Sequence, residues 1–125
     1  RRGARKMLEL NEYQKKAHET AKYPCGLIAG DNINTPVNYL YPALGLAEEA
    51  GEVAGKYAKA LRDCSGEIDE KRKEAIVKEL GDVMWFVAEL ATCLEVDLDL
   101  VAEMNLQKLA SRIARGKING DGDDR

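Results

Sequence analysis

A chain of 125 residues has room for one domain with a real core and little for a second. Its composition, 45% hydrophobic, 33% charged and only 6% aromatic with 3 prolines, favours helices over sheets, so the expected fold is all-α, a bundle of about four main helices. The net charge of -3 offers no positive field for nucleic acid, and no apolar run reaches the roughly 18 residues of a membrane span, so neither partner is expected.

Met7 reads as a natural start, which would make residues 1–6 a tag or disordered N-terminal extension and 7–125 a single domain. The three cysteines, Cys25, Cys64 and Cys93, are odd in number and lack Cys-x-x-Cys spacing. That argues against a disulfide framework or a zinc site and fits a reducing cytoplasm.

In LELNEYQKKAHETA, residues 8–21, Leu10, Tyr13, Ala17 and Ala21 form a helical stripe that Tyr23-Pro24 ends. The 23–36 segment is crowded with turn formers and reads as an irregular loop. A second helix should start between Val37 and Ala43, with Pro42 in its first turn, and run to about Leu61. The third should start near Asp69, with Ile76, Leu80, Val83, Val87, Leu90 and Leu94 as its core stripe. Asp97 is the expected N-cap of a fourth helix carrying Leu98, Val101, Leu106, Leu109 and Ile113 and stopped by Gly116.

The chemistry concentrates on two helices. In GLAEEAGEV, residues 45–53, Glu48, Glu49 and Glu52 stand among Gly, Ala, Leu and Val. At about 100° per residue the three crowd one side of a helix, and like charges at i,i+4 repel, so helix stability alone would not choose them. The third helix adds Glu79 and Asp82 at i,i+3. A short connection makes the two helices antiparallel neighbours, so the acidic pairs can converge into an oxygen-rich site suited to Mg²⁺ or Mn²⁺. The residues alone leave that reading level with a solvated acidic face. A di-iron bundle needs Glu-x-x-His on two helices; the one histidine, His18, has Lys15 three residues before it and reads as a surface or hydrogen-bonding residue. Trp85 reads as core or interface.

With both pairs in hand, the chain resembles the MazG-like all-α nucleoside triphosphate pyrophosphohydrolases, whose motif is Glu-Glu-x-x-Glu followed by Glu-x-x-Asp. Here these are Glu48-Glu49-Ala50-Gly51-Glu52 and Glu79-Leu80-Gly81-Asp82. LNEYQKKAHETAKYP, LGLAEEAGEVAGK, KELGDVMWFVAELA and NLQKLASRIARGKINGDGDDR resemble family segments in family order, covering nearly everything after Met7. The resemblance implies a homodimer or homotetramer with its site completed between subunits. It implies Mg²⁺-dependent cleavage of a nucleoside triphosphate between the α and β phosphates, in housecleaning or control of nucleotide pools. Carried over by position, Glu49, Glu52, Glu79 and Asp82 would hold the metal, Glu48 would act as base, and Asn105, Lys108 and Arg112 would contact nucleotide and phosphates. Lys56 and Lys59 are weaker phosphate candidates. Tyr39, Tyr41 or Phe86 would stack on the base, with the 23–36 loop as lid. A non-catalytic helical oligomer that binds a cation only structurally is the rival reading.

Overall fold

The computed structural model describes residues 5–23, 39–117 and 119–122. Four helices occupy them: α1, Leu10–Glu19; α2, Leu40–Cys64; α3, Glu70–Cys93; and α4, Leu98–Ala114. No strand occurs among the described residues. The expected loop after Tyr23 lies outside them.

Helix α2 tolerates Pro42 because it is the third helical residue, where a backbone N–H has no partner within the helix. The helix ends where Ser65 (φ 56°) and Gly66 (φ 85°) take left-handed conformations and Gly66 N–H returns to the Ala60 carbonyl at 2.9 Å. Asp69 then caps α3, its Oδ1 accepting the Arg72 N–H at 2.8 Å. This tight connection sets α2 and α3 side by side and antiparallel. At the other end the Tyr39 hydroxyl donates to the Cys93 carbonyl at 2.8 Å, tying the start of α2 to the end of α3.

Helix α1 packs on the C-terminal half of α3. Ala17, Ala88 and Leu98 form its buried centre, with Tyr13, Trp85 and Val87 packed around them. Small side chains at Ala17 and Ala88 let the helices approach closely. Asp97 does occupy the N-cap position of α4, but its side chain makes no capping hydrogen bond. The cap comes from α1 instead: Gln14 Oε1 accepts the Leu98 N–H at 2.8 Å and Asn11 Oδ1 accepts the Asp99 N–H at 3.0 Å.

The expected core stripe of α3 is only partly buried within the chain. Ile76 is buried, Val83, Val87 and Leu90 are half-buried, and Leu80 and Leu94 are exposed. The buried positions are Ile76, Phe86, Ala88, Glu89, Ala91 and Cys93, because α1 and α2 both seat on α3 and between them cover a wider arc than one stripe. On α4, Leu98 is buried and Leu109 half-buried while Val101, Leu106 and Ile113 are exposed, since the helix packs on α1 and α3 mainly through its start. No helix among the described residues is long and apolar enough to cross a membrane.

Candidate functional site

The antiparallel pairing of α2 and α3 brings Glu49 against Glu79 and Asp82, each offering a carboxylate oxygen within 4.8 Å of the others. Glu49 and Glu79 are half-buried and Asp82 is exposed, so the cluster opens to solvent on one side. Burial raises the Glu49 carboxyl above its ordinary range, and the Asp82 charge, a hydrogen bond with Glu79, the Glu79 charge and the Glu48 charge push it the same way. Lys56, two turns along α2, places Nζ 3.5 Å from Glu79 Oε1 and is the nearby counter-charge.

The donor set is oxygen-only, acidic and open on one side, which fits a hard divalent cation that keeps waters and takes further ligands from phosphate. Such an ion would offset the carboxylate repulsion that, after burial, raises the Glu49 carboxyl. Glu48 and Glu52 are exposed and lie outside the three-residue cluster, although Glu48 is near enough to act on Glu49 through its charge.

An aromatic hollow adjoins the acids, lined by Thr20, Tyr41, Trp85 and Phe86 together with Glu49 and Asp82. Its rings support one another edge to face. Trp85 and Phe86 have centroids 5.0 Å apart at 86°, and Tyr41 and Phe86 5.8 Å apart at 62°. Trp85 Nε1 donates to Thr20 Oγ1 at 2.8 Å, which fixes the indole against the end of α1. Gly45 permits the closeness of α2 to this cage: a Cβ there would collide with the Phe86 ring. Ala47, Ala50, Gly51 and Ala54, by contrast, are exposed, so within the chain the small residues beside the acids do not meet α3.

The α4 residues stand apart from the acids. Asn105 lines an apolar groove with Leu10, Val83, Met84 and Val101. Lys108 is half-buried, and Arg112 is buried, its Nη2 donating to the Gly122 carbonyl at 3.2 Å. None of the three lines the acid-and-aromatic hollow. Lys56 and Lys59 instead line a basic hollow with Lys71, Arg72 and Asp69 at the α2–α3 turn.

Sequence reasoning missed Glu89. It is fully buried on α3, its Oε2 accepting from the Tyr23 hydroxyl at 2.8 Å and its Oε1 lying 3.1 Å from His18 Nδ1. The signal was present: Glu89 is the one charged residue in VMWFVAELATCL, the same oddity that drew notice to GLAEEAGEV.

Residues 40–115 match the MazG nucleotide pyrophosphohydrolase domain, a span that holds both acidic motifs and all of α4. The chain is also 45% identical over 118 residues to the gene 37 protein of Mycobacterium phage L5, a match covering 94% of this chain and 100% of that protein. No solved structure matches. A domain match across more than half the chain, together with the near full-length relative, establishes the family: this protein belongs to the MazG nucleotide pyrophosphohydrolases.

Proposed function

We propose that the protein hydrolyses nucleoside or deoxynucleoside triphosphates to the monophosphate and pyrophosphate, with Mg²⁺ as the cofactor and Mn²⁺ as a substitute. One observation carries the reading: three carboxylates from the two motif helices converge within 4.8 Å beside a hollow walled by aromatic rings. The acids suit the metal end of a nucleotide and the rings suit its base.

Glu49, Glu79 and Asp82 would hold the cation, and Glu52, one turn beyond Glu49 on α2, would be a further ligand. When bound, the ion supplies charge neutralisation for the phosphate oxygens and lowers the pKa of water. Glu48 takes the proton of the attacking water, a role that suits an exposed carboxylate next to the cluster. The water's oxygen joins phosphorus and pyrophosphate leaves with the electron pair of the broken bond. Cationic side chains must hold a triphosphate that the acids alone would repel. Asn105, Lys108 and Arg112 belong to this reading as nucleotide contacts, in an assembly of two or four chains whose subunits complete one another's sites. Val101, Met104, Leu106 and Ile113 on α4 leave apolar area that a second copy would cover. Residues 7–125 act as one domain, in the cytoplasm.

The test is incubation of purified protein with Mg²⁺ and a panel of canonical and modified nucleotides, reading pyrophosphate against orthophosphate. Pyrophosphate release that is lost in Glu49→Gln and Asp82→Asn is the expected result. No release from any nucleotide, or wild-type rates in both variants, would leave a helical module that binds a cation without catalysis.

A further inference from the structure

Glu89 has no solvent-exposed surface, yet the catalytic reading gives it no role. An apolar side chain would fill the same space without desolvating a carboxylate, so packing alone does not call for an acid there. What the acid does is gather two groups from the end of α1 and just beyond it. Its Oε1 lies 3.1 Å from His18 Nδ1 and its Oε2 accepts the Tyr23 hydroxyl at 2.8 Å. Tyr23, buried itself, is the keystone of the aromatic cage. Its ring stacks on Tyr41 with centroids 4.8 Å apart at 27°, and meets Trp85 edge to face at 6.4 Å and 77°. Tyr41 and Trp85 are in turn walls of the hollow beside Glu49 and Asp82.

We propose that Glu89 is a positioning residue for the nucleobase: by holding Tyr23 it fixes the Tyr41, Trp85 and Phe86 rings as the flat-ligand wall of the hollow next to the acids. The inference rests on the nucleotide-hydrolase reading for the identity of the ligand. The wall is assembled from three pieces of chain, the end of α1, the start of α2 and the C-terminal half of α3: the Glu89–Tyr23 hydrogen bond joins the Trp85–Thr20 bond in setting the first against α3, and the Tyr23–Tyr41 stack carries that placement to α2. Without it the Tyr23 ring keeps its volume but loses the bond that sets its depth, and the planar face loses its register with the metal end. Glutamine at 89 preserves the arrangement, since its carbonyl accepts from Tyr23 and its amide can donate to the other tautomer of His18.

Trp85 is the chain's single tryptophan, so its fluorescence reports this wall directly. Tyr23→Phe removes one oxygen from a ring that stays in place, and is the primary variant; Glu89→Gln is the conservative control. Tyr23→Phe is expected to raise KM for the preferred nucleotide about 10-fold while kcat changes less than about 3-fold, and Glu89→Gln to stay within about 3-fold of wild type in both. Acrylamide should quench Trp85 more strongly in Tyr23→Phe than in wild type, while the affinity for pyrophosphate, which has no base, is unchanged. A fall in kcat at constant KM, equal quenching in the two proteins, or equal weakening of pyrophosphate and nucleotide overturns the proposal. If wild-type protein hydrolyses no nucleotide, the hydrolase reading fails by itself. Trp85 titration with nucleoside monophosphates then decides: quenching that weakens in Tyr23→Phe upholds the wall, and no response to any base refutes it.

Discussion

Glu49 on α2 and Glu79 on α3 bring carboxylate oxygens within 4.8 Å of each other, so the Glu79 charge adds to the burial that raises the Glu49 carboxyl. Because the folded state raises the Glu49 carboxyl, the stability it contributes is present below the ordinary carboxylate range and lost as pH rises through the raised value. At neutral pH, Glu49→Gln should therefore leave the melting temperature without Mg²⁺ unchanged or higher. Wild-type protein should gain about 2.7 kcal/mol at Mg²⁺ one hundred times its dissociation constant, and the variant should lose most of that gain. Thermal melts with and without Mg²⁺ check both; a variant that melts lower without the ion and keeps the full Mg²⁺ shift contradicts them.

Gln14 is the strut between α1 and α4. Its amide donates to the Val96 carbonyl at 2.9 Å while its Oε1 caps Leu98, all in a nearly water-free setting. Gln14→Ala leaves both backbone groups without that partner and should cost about 2–3 kcal/mol in urea unfolding. Gln14→Glu keeps an acceptor for Leu98 but turns a second oxygen toward the Val96 carbonyl in that nearly water-free setting, so it should cost at least as much as Gln14→Ala.

Two glycines of α2 should respond in opposite directions. Gly45→Ala drives a methyl into Phe86, and overpacking of this kind costs about 1–3 kcal/mol. It should also alter Trp85 emission, since Phe86 lies edge-on to that indole. Gly51 has open space around it, so Gly51→Ala should stabilise the helix by about 0.5–1 kcal/mol. Denaturant midpoints of the two variants test the contrast.

Cys93 and Cys64 should differ in reactivity. Cys93 is buried, and that burial raises its thiol against the lowering effect of the Tyr23 hydrogen bond; Cys64 is half-buried. At mildly alkaline pH, iodoacetamide should modify Cys64 well before Cys93, as read by mass spectrometry.

The same burial predicts alkaline sensitivity. The Tyr23 phenol is raised by burial and by its bonds to Cys93 and Glu89, and the Tyr13 phenol by burial and the Asp82 charge. Groups raised in the fold contribute stability that is present below their unfolded values and lost above them. The melting temperature should thus fall as pH climbs through about 8.5 to 10.5, where unfolded thiols and phenols ionise. A flat melting temperature across that range would contradict the assignment.

Much of this molecule is written locally. Asp69 caps α3 as its sequence position predicts, Pro42 sits in the first turn of α2, and Glu49, Glu79 and Asp82 converge from neighbouring helices, while Glu52 stays exposed outside their cluster. These features depend on helical period and on one short turn, both legible within a few residues. The burial of α3 was harder to read: Leu80 and Leu94 look like core in the pattern but are exposed, because the side of a helix that is covered depends on which neighbours arrive.

By itself, then, the sequence determined the four helices and the acidic motifs, since each rests on periodicity and spacing along a single segment, and the family followed from the match of those segments to known members. Only the tertiary structure decided that Gln14, not Asp97, caps α4, that Gly45 is the glycine of close approach, and that Glu89 lies buried between His18 and Tyr23. Those partners stand 41 to 84 positions apart, and no local pattern records which distant group will meet a buried donor or acceptor. The fold brings them together because a polar group withdrawn from water must find a partner wherever the packed chain supplies one.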